Sequence, residues 1–360
     1  MDKISFYTIG LMSGTSLDGL DIVYSYFLNK DDFWLYEIIH SKTITYNDKI
    51  KQQLQNAHLL SGYDLLMLHN HYGEYIGKQV LKFIEEKKIQ NVDFIASHGH
   101  TVFHSPEKKL NFQIGNPYFI LLETGIPVIA DFRSRNIVFG GQGAPLVPIG
   151  DRLLFGNYEI RINLGGFSNY SLEDENNNTI AGDICPVNII LNFLSEKFYN
   201  KEMDIDGELG KKGEIIENLL EELNSLKFYN ERYNNKTLSR EWLETEFMPV
   251  LKKYFDYNPE DLLRTIYEHI VIRISKIVSK YKNKKSILLT GGGAKNKFLT
   301  SLIKKKLNKH NIEIPNQSII DYKEALIFAF LGVLYLCSQN NCLSSYTKAT
   351  SDMICGNLYK

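Results

Sequence analysis

The sequence predicts an α/β protein of two lobes, each with a mixed sheet flanked by helices. Three observations predict it. A strand, a polar turn and a second strand occur near the start of each half, which suggests an internal duplication. Short apolar strand-like runs alternate with long amphipathic helical patterns. Late in the chain, a strand, three glycines and a helix follow one another. At 360 residues there is room for two domains with a core each, and the boundary is expected near residue 150. Residues 1–150 then form an N-terminal lobe with the first polar turn. Residues 151–360 form a C-terminal lobe with the second turn and the glycine triplet, and its last helices pack back on the first lobe.

Residues 4–11 and 20–28 are rich in β-branched and aromatic side chains and flank the polar segment 13–19, so two strands joined by a tight turn are expected. A third strand follows at residues 34–40. Ser61-Gly62-Tyr63-Asp64 matches a capping box, and Leu65, Leu68, Tyr72, Ile76, Val80 and Phe83 recur on one helical face. Residues 94–97 form a short buried strand leading into His98-Gly99-His100-Thr101, with loop and strand pieces from there to Pro148. The second half opens with a strand at residues 158–164, a turn at 165–169 and a strand at 170–172. Residues 196–258 are charged and rich in Asn and Lys, and read as a peripheral helical region. Asn258-Pro259-Glu260-Asp261 is a helix start, with a cap residue, proline at the first position and acids in the first turn. A strand at 286–290, the turn Gly291-Gly292-Gly293 and a helix at 296–307 follow. Residues 325–336 are apolar almost all round, as in a helix buried within a domain.

Apolar residues make up 44% and charged residues 23%, the composition of a folded globular protein. With 41 basic and 42 acidic residues the net charge is −1, so no overall field favours nucleic acid or an anionic membrane. A small-molecule ligand is expected instead. No apolar run has membrane-spanning length and no signal-peptide core follows Met1, so the expected compartment is the cytoplasm. Four cysteines without paired spacing read as reduced and structural.

Several constellations carry chemistry. In Ser13-Gly14-Thr15-Ser16-Leu17-Asp18-Gly19, followed by Asp21, glycines let the backbone approach a phosphate while N–H groups and hydroxyls donate to it. A carboxylate there, Asp18, suits Mg2+ directly or through water. The same segment reads equally as a plain hairpin turn. Gly165 and Gly166 close a second strand end with small polar donors, and Gly291, Gly292 and Gly293 would let a flat adenine or ribose lie on the backbone. Asp183 stands at a strand end, where a carboxylate suits general-base work or mere solvation. Arg133 could grip an acidic group or pair with Asp131. His98, His100 and His104 suit hydrogen bonding to a polar substrate better than a zinc site, because no cysteine is near. His69 and His71, two apart on a helix, read as surface residues.

Assembled, these pieces resemble the anhydro-N-acetylmuramic acid kinases of the sugar kinase, Hsp70 and actin superfamily, over nearly the whole chain. The resemblance rests on the segment from Met12 to Asp21, on Ser97-His98-Gly99-His100-Thr101-Val102-Phe103-His104, and on Gln113-Ile114-Gly115. Its longest part runs from Thr124-Gly125-Ile126-Pro127-Val128 through Asp131-Phe132-Arg133 to Gly140-Gly141-Gln142-Gly143-Ala144-Pro145-Leu146-Val147-Pro148. Asn163-Leu164-Gly165-Gly166, Ser239-Arg240-Glu241-Trp242, Gly291-Gly292-Gly293-Ala294-Lys295-Asn296 and Glu324-Ala325 add to it.

The resemblance implies a two-lobed actin-like ATPase fold of the ribonuclease H-like kind, with a nucleotide cleft between the lobes. It implies ATP with Mg2+, a homodimer, and a reaction of cell-wall recycling. Water opens the 1,6-anhydro bridge of anhydro-N-acetylmuramic acid while O6 takes the γ-phosphate. Asp183 looks like the base that activates water, and His98, His100, Thr101, Arg133 and Glu324 look like sugar-site residues. The chain departs from the family pattern at Ile184, Cys185 and Val187 beside Asp183, at His100 in place of glutamine, and at Ser239 in place of glycine. A kinase for a different 1,6-anhydrosugar, or a non-catalytic actin-like nucleotide-binding regulator, are the alternative readings.

Overall fold

In a computed structural model, which describes residues 4–14, 17–31, 33–173, 179–230, 238–281 and 283–360, the chain divides into two units. The first comprises Met1–Gly156 and Tyr322–Lys360, the second Asn157–Asp321.

The first unit is built on strands β1 (Ile4–Ser13), β2 (Gly19–Lys30), β3 (Phe33–Thr45), β4 (Phe94–Ser105), β5 (Leu110–Ile114) and β6 (Val128–Ala130). β1, β2 and β3 form an antiparallel meander, and β4 and β6 extend the sheet in parallel beyond β1. β5 pairs with β4, and the strand Asn357–Tyr359 closes the edge against β6. Alternation in β1 and β2 sends Ile9, Leu11, Leu20 and Ile22 to one face. There they pack on Leu68, Tyr72, Ile76, Val80 and Phe83 of the helix Gly62–Lys87. The predicted cap starts that helix: the Asp64 N–H donates to Ser61 Oγ at 3.1 Å.

On the first unit's sheet, Gly10 lets the apolar helix Gln317–Leu336 approach closely. A β-carbon at Gly10 would stand 2.1 Å from the Ala325 carbonyl oxygen. Phe330 of the same helix packs on Phe27 and Trp34. Burying each such side chain contributes roughly 1.5–3 kcal/mol.

The second unit repeats the plan. Strands β7 (Ile160–Leu164), β8 (Phe167–Glu173) and β9 (Thr179–Pro186) form an antiparallel meander, and β10 (Ser286–Thr290) and β11 (Asn311–Glu313) continue from β7 in parallel. The order β11-β10-β7-β8-β9 matches β6-β4-β1-β2-β3. The duplication suggested by the two strand-turn-strand runs is therefore present in the topology. The helix Pro259–Val278 is capped by Asn258, whose Oδ1 accepts the Glu260 N–H at 3.1 Å. Leu263, Ile266, Ile270, Ile274 and Ile277 of this helix are buried.

Four expectations need correction. β4 does not stop at Ser97 but runs to Ser105, because β5 supplies a partner for residues 100–105. Residues 196–258 are not merely peripheral, since Leu219, Leu223, Phe247 and Leu251 are buried in the unit's core. A short turn, Gly292–Lys295, separates the glycine triplet from its helix, which begins at Lys297 with Asn296 as cap. His69 is half-buried rather than on the surface: its Nδ1 accepts the Gly115 N–H at 3.2 Å and its ring packs on Phe112.

Candidate active site

In the first unit the turn between β1 and β2 is closed by the Leu17 N–H donating to the Gly14 carbonyl at 3.2 Å. Leu17 takes a left-handed φ of 60°. Thr15 and Ser16, two of the proposed phosphate donors, lie outside the described residues. Asp18 is exposed, and Gly19 opens β2 where a β-carbon would stand 2.5 Å from the Ile44 carbonyl oxygen. Asp21 faces Met12 and Thr43 in the sheet register, and its Oδ1 accepts from Thr43 Oγ1 at 2.6 Å. At the other side of the turn, Ser13 is buried and its Oγ lies 3.1 Å from His100 Nδ1, with Ser13 and His100 paired in register.

A second cluster in the same unit joins His98, Arg133 and Glu324. Arg133 Nε donates to His98 Nε2 at 3.0 Å, and Arg133 Nη1 donates to the Gly143 carbonyl at 2.7 Å. Because Nε2 accepts, His98 carries its proton on Nδ1 and donates it to the Gly99 carbonyl at 2.9 Å. Burial, with the neighbouring guanidinium, pushes the His98 imidazolium down to about 3, so the ring stays neutral. Phe328 packs on the His98 ring and lies one helical turn beyond Glu324. Glu324 is open to solvent but crowded by protein, and the crowding raises its carboxyl although Lys323 and Arg133 pull it down. An Arg133–Asp131 ion pair is not formed among the described residues. Asp131 Oδ1 instead accepts the Ser134 N–H at 3.2 Å, and Oδ2 accepts from Asn357 at 3.4 Å.

The loop that supplies Gly143 is held by Asn136, which sequence reasoning missed. Asn136 is fully buried, its Oδ1 accepts the Gly143 N–H at 2.8 Å, and its Nδ2 donates to Thr347 Oγ1 at 2.8 Å. A buried asparagine looks like any surface asparagine in one sequence. Only its place three residues after Arg133 was available as a signal. Thr101, on β4, receives a hydrogen bond from Gln113 Nε2 at 3.3 Å.

In the second unit the sheet register aligns Thr290, Asn163, Asn169 and Asp183 in one row across β10, β7, β8 and β9. The glycine turns therefore leave adjacent strands at the same end of the sheet. Gly291 has φ of 82° and sits so near Asn163 and Leu164 that a β-carbon would meet Asn163 Oδ1 at 2.6 Å. Gly293 lies beside Leu164, and Gly292 beside Asn188, whose Nδ2 donates to the Leu164 carbonyl at 3.0 Å. The Gly166 carbonyl accepts the Val187 N–H at 2.8 Å, and the Gly165 carbonyl accepts the Asn188 N–H at 3.2 Å, so that turn is tied to the start of the helix Asn188–Tyr199.

Asp183 is half-buried, and its Oδ2 accepts the Leu238 backbone N–H at 2.7 Å. Burial raises its carboxyl while that N–H holds it down, and the net movement is upward. A carboxylate moved in that direction is a better proton acceptor than one in free solution. The residues that depart from the family pattern, Ile184, Cys185 and Val187, are all buried in the unit's apolar core, where Cys185 meets Ser168.

Comparison with known proteins gives a consistent result. The family model described as anhydro-N-acetylmuramic acid kinase matches residues 6–360. Proteins named anhydro-N-acetylmuramic acid kinase are 31% identical in Hydrogenovibrio crunogenus, over 97% of this chain and 96% of that one. The protein of that name in Clostridioides difficile is also 31% identical, over 98% of both chains. Among solved structures, component A of (R)-2-hydroxyglutaryl-CoA dehydratase from Acidaminococcus fermentans overlaps 90% of this chain and 96% of its own, at 14% identity and a TM-score of 0.43. The activator of 2-hydroxyisocaproyl-CoA dehydratase from Clostridium difficile, with bound ADPNP, overlaps 90% and 92% at 15% identity and a TM-score of 0.40.

Proposed function

The chain belongs to the anhydro-N-acetylmuramic acid kinase family, and on that premise we propose how its residues divide the work. As a kinase of that family it uses ATP to phosphorylate a small sugar, anhydro-N-acetylmuramic acid, in peptidoglycan recycling. The γ-phosphate goes to O6 as the 1,6-anhydro bridge opens, and the product is N-acetylmuramic acid 6-phosphate. Asp183 takes a proton from water, the water oxygen bonds to the anomeric carbon, and the bond from that carbon to O6 breaks. O6 bonds to the γ-phosphorus and ADP leaves. The observation that carries this reading is the Asp183 carboxylate, half-buried, raised by burial and aimed by the Leu238 N–H.

Gly14, Thr15, Ser16 and Gly19 of the first turn and Gly165 and Gly166 of the second hold the phosphates, and Asp21, an acceptor only, serves the nucleotide through its metal ion. Gly291, Gly292 and Gly293 lie against the adenosine. Arg133 takes the sugar's lactyl carboxylate with the Nη2 edge left by its bonds to His98 and Gly143. Thr101 orients the sugar's polar groups, His98 acts through Arg133, which it holds in place, and Glu324 accepts from a hydroxyl.

The donor set fits Mg2+ of the kind that ATP phosphates largely coordinate: one exposed carboxylate, Asp18, with Asp21 engaged by Thr43, and no three-residue metal cluster among the described residues. Bound there, Mg2+ would neutralise phosphate charge. A cytoplasmic homodimer completes the proposal, and no helix among the described residues is long and apolar enough to cross a membrane. The burial of Ile184, Cys185 and Val187 in the apolar core supports the same anhydrosugar as substrate over a different one.

The test is turnover in oxygen-18 water with ATP, Mg2+ and anhydro-N-acetylmuramic acid. Label at the anomeric hydroxyl of the 6-phosphate product is expected. Asp183→Asn should lower kcat by about 10²- to 10⁴-fold. Undiminished turnover in that variant would overturn the assignment of the base.

A further inference from the structure

Beneath the first turn runs a chain of four buried polar side chains from four parts of the fold. Tyr72 comes from the helix Gly62–Lys87, Tyr46 follows β3, Ser13 ends β1 and His100 lies on β4. All four are 5% exposed or less. Tyr72 and Tyr46 hydroxyls are 2.6 Å apart, Tyr46 donates to Ser13 Oγ at 2.7 Å, and Ser13 Oγ lies 3.1 Å from His100 Nδ1.

Each hydroxyl has one proton, which sets the direction along the two tyrosines to Ser13. Tyr46 spends its proton on Ser13, so Tyr72 must donate to Tyr46. Ser13 Oγ accepts from Tyr46 and keeps both its own proton and a second lone pair, so it bonds His100 Nδ1 in either tautomer of the neutral ring. Burial keeps that ring neutral by pushing His100 down to about 4. Burial also pushes Tyr46 up to about 12 and Tyr72 well above its ordinary value, so both stay protonated.

Packing alone does not call for this arrangement. Phenylalanine at positions 46 and 72 would bury as much apolar surface without placing hydroxyls in a core. What the hydroxyls accomplish is to fix Ser13, the last residue before the turn. The turn is otherwise closed, among the described residues, by the single Leu17-to-Gly14 bond.

We propose that Tyr72, Tyr46 and His100 are positioning residues that fix Ser13, and with it the end of β1 from which Gly14 meets the ATP phosphates. The proposal rests on the reading of that turn as a phosphate site. His100 then serves the nucleotide side of the reaction rather than the sugar.

The experiment measures ATP affinity by calorimetry and the KM for ATP and for the sugar in Tyr46→Phe, Tyr72→Phe, His100→Leu and His100→Asn, with folding checked by circular dichroism. Tyr46→Phe and His100→Leu should weaken ATP binding about five- to tenfold and leave the sugar KM unchanged. Tyr72→Phe, one bond further away, should do less. His100→Asn places an amide oxygen where Nδ1 stands and should restore affinity. Should Tyr46→Phe not fold, Tyr72→Phe and His100→Leu carry the test. ATP affinity unchanged in the folded variants, or a change confined to the sugar KM, overturns the proposal. Gly14→Val separates the two levels. If it abolishes ATP binding while Tyr46→Phe does not, only the positioning role fails; if ATP binds Gly14→Val normally, the phosphate site itself is elsewhere.

Discussion

Replacing His269 with phenylalanine should remove a defined part of the protein's acid sensitivity. His269 is fully buried in the helix Pro259–Val278, against Phe247 and Tyr229. Its Nε2 lies 3.1 Å from the Tyr229 hydroxyl, and its Nδ1 has no hydrogen-bond partner among the described residues. Burial and then the nearby Arg273 and Lys276 push its imidazolium from 6.5 down to about 3.

The unfolded chain therefore binds a proton that the fold refuses, and stability falls as pH falls below 6.5. For the unfolded chain at pH 5, 1 + 10^(6.5−5) is about 33; the folded factor is about 1. RT ln 33 is about 2 kcal/mol lost between pH 7.5 and 5. The full loss, (6.5 − 3) × 1.36 or about 5 kcal/mol, is reached only below pH 3. Against a total stability of about 5–15 kcal/mol, 2 kcal/mol is readily measured.

The assay is urea unfolding of wild type and variant at pH 7.5, 6.5, 5.5 and 5.0, followed by fluorescence. At pH 7.5 the variant should differ little, since removing the unpartnered Nδ1 offsets the lost Tyr229 bond. Down to pH 5 it should lose about 2 kcal/mol less than wild type, with kcat at pH 7.5 unchanged. Equal losses in both proteins would refute the reasoning. His98 and His100 are displaced in the same direction and should leave the variant with the remainder of the slope.

Two further outcomes follow from packing and from the sugar cluster. Gly10→Val would force side-chain atoms into the Ala325 carbonyl, 2.1 Å from the ideal β-carbon, and into Ala329 at 2.9 Å. It should destabilise the first unit by about 3 kcal/mol or more, seen as a lowered Tm or insoluble protein. Arg133→Lys cannot reproduce the bonds to both His98 Nε2 and the Gly143 carbonyl, and should raise the sugar KM by about tenfold or more with the ATP KM unchanged.

Much of the framework can be read from sequence because its signals are local. Ser61 and Asn258 start their helices where capping chemistry places them, and the apolar faces of those helices are the ones buried. The C-terminal end of β4 differs from expectation because strand length depends on a partner: His98-Gly99-His100-Thr101 has turn-like composition, but β1 and β5 pair with it. His69 was misplaced for the same reason, since nothing nearby in sequence reveals Gly115 beside its ring.

By itself, then, the sequence determined the α/β class, the two strand-turn-strand units, the family and the residue types available for catalysis, all of which reside in local pattern or in strings of residues. Tertiary structure alone decided which residues meet. It set Asp183 in register with Asn169, turned Ile184, Cys185 and Val187 into the core, gave Arg133 to His98 instead of Asp131, and placed Ser13 on Tyr46 and His100. Those contacts join positions up to 87 residues apart in the Ser13–His100 case, and pairing at such a distance is an outcome of the whole sheet's register, which no local pattern encodes.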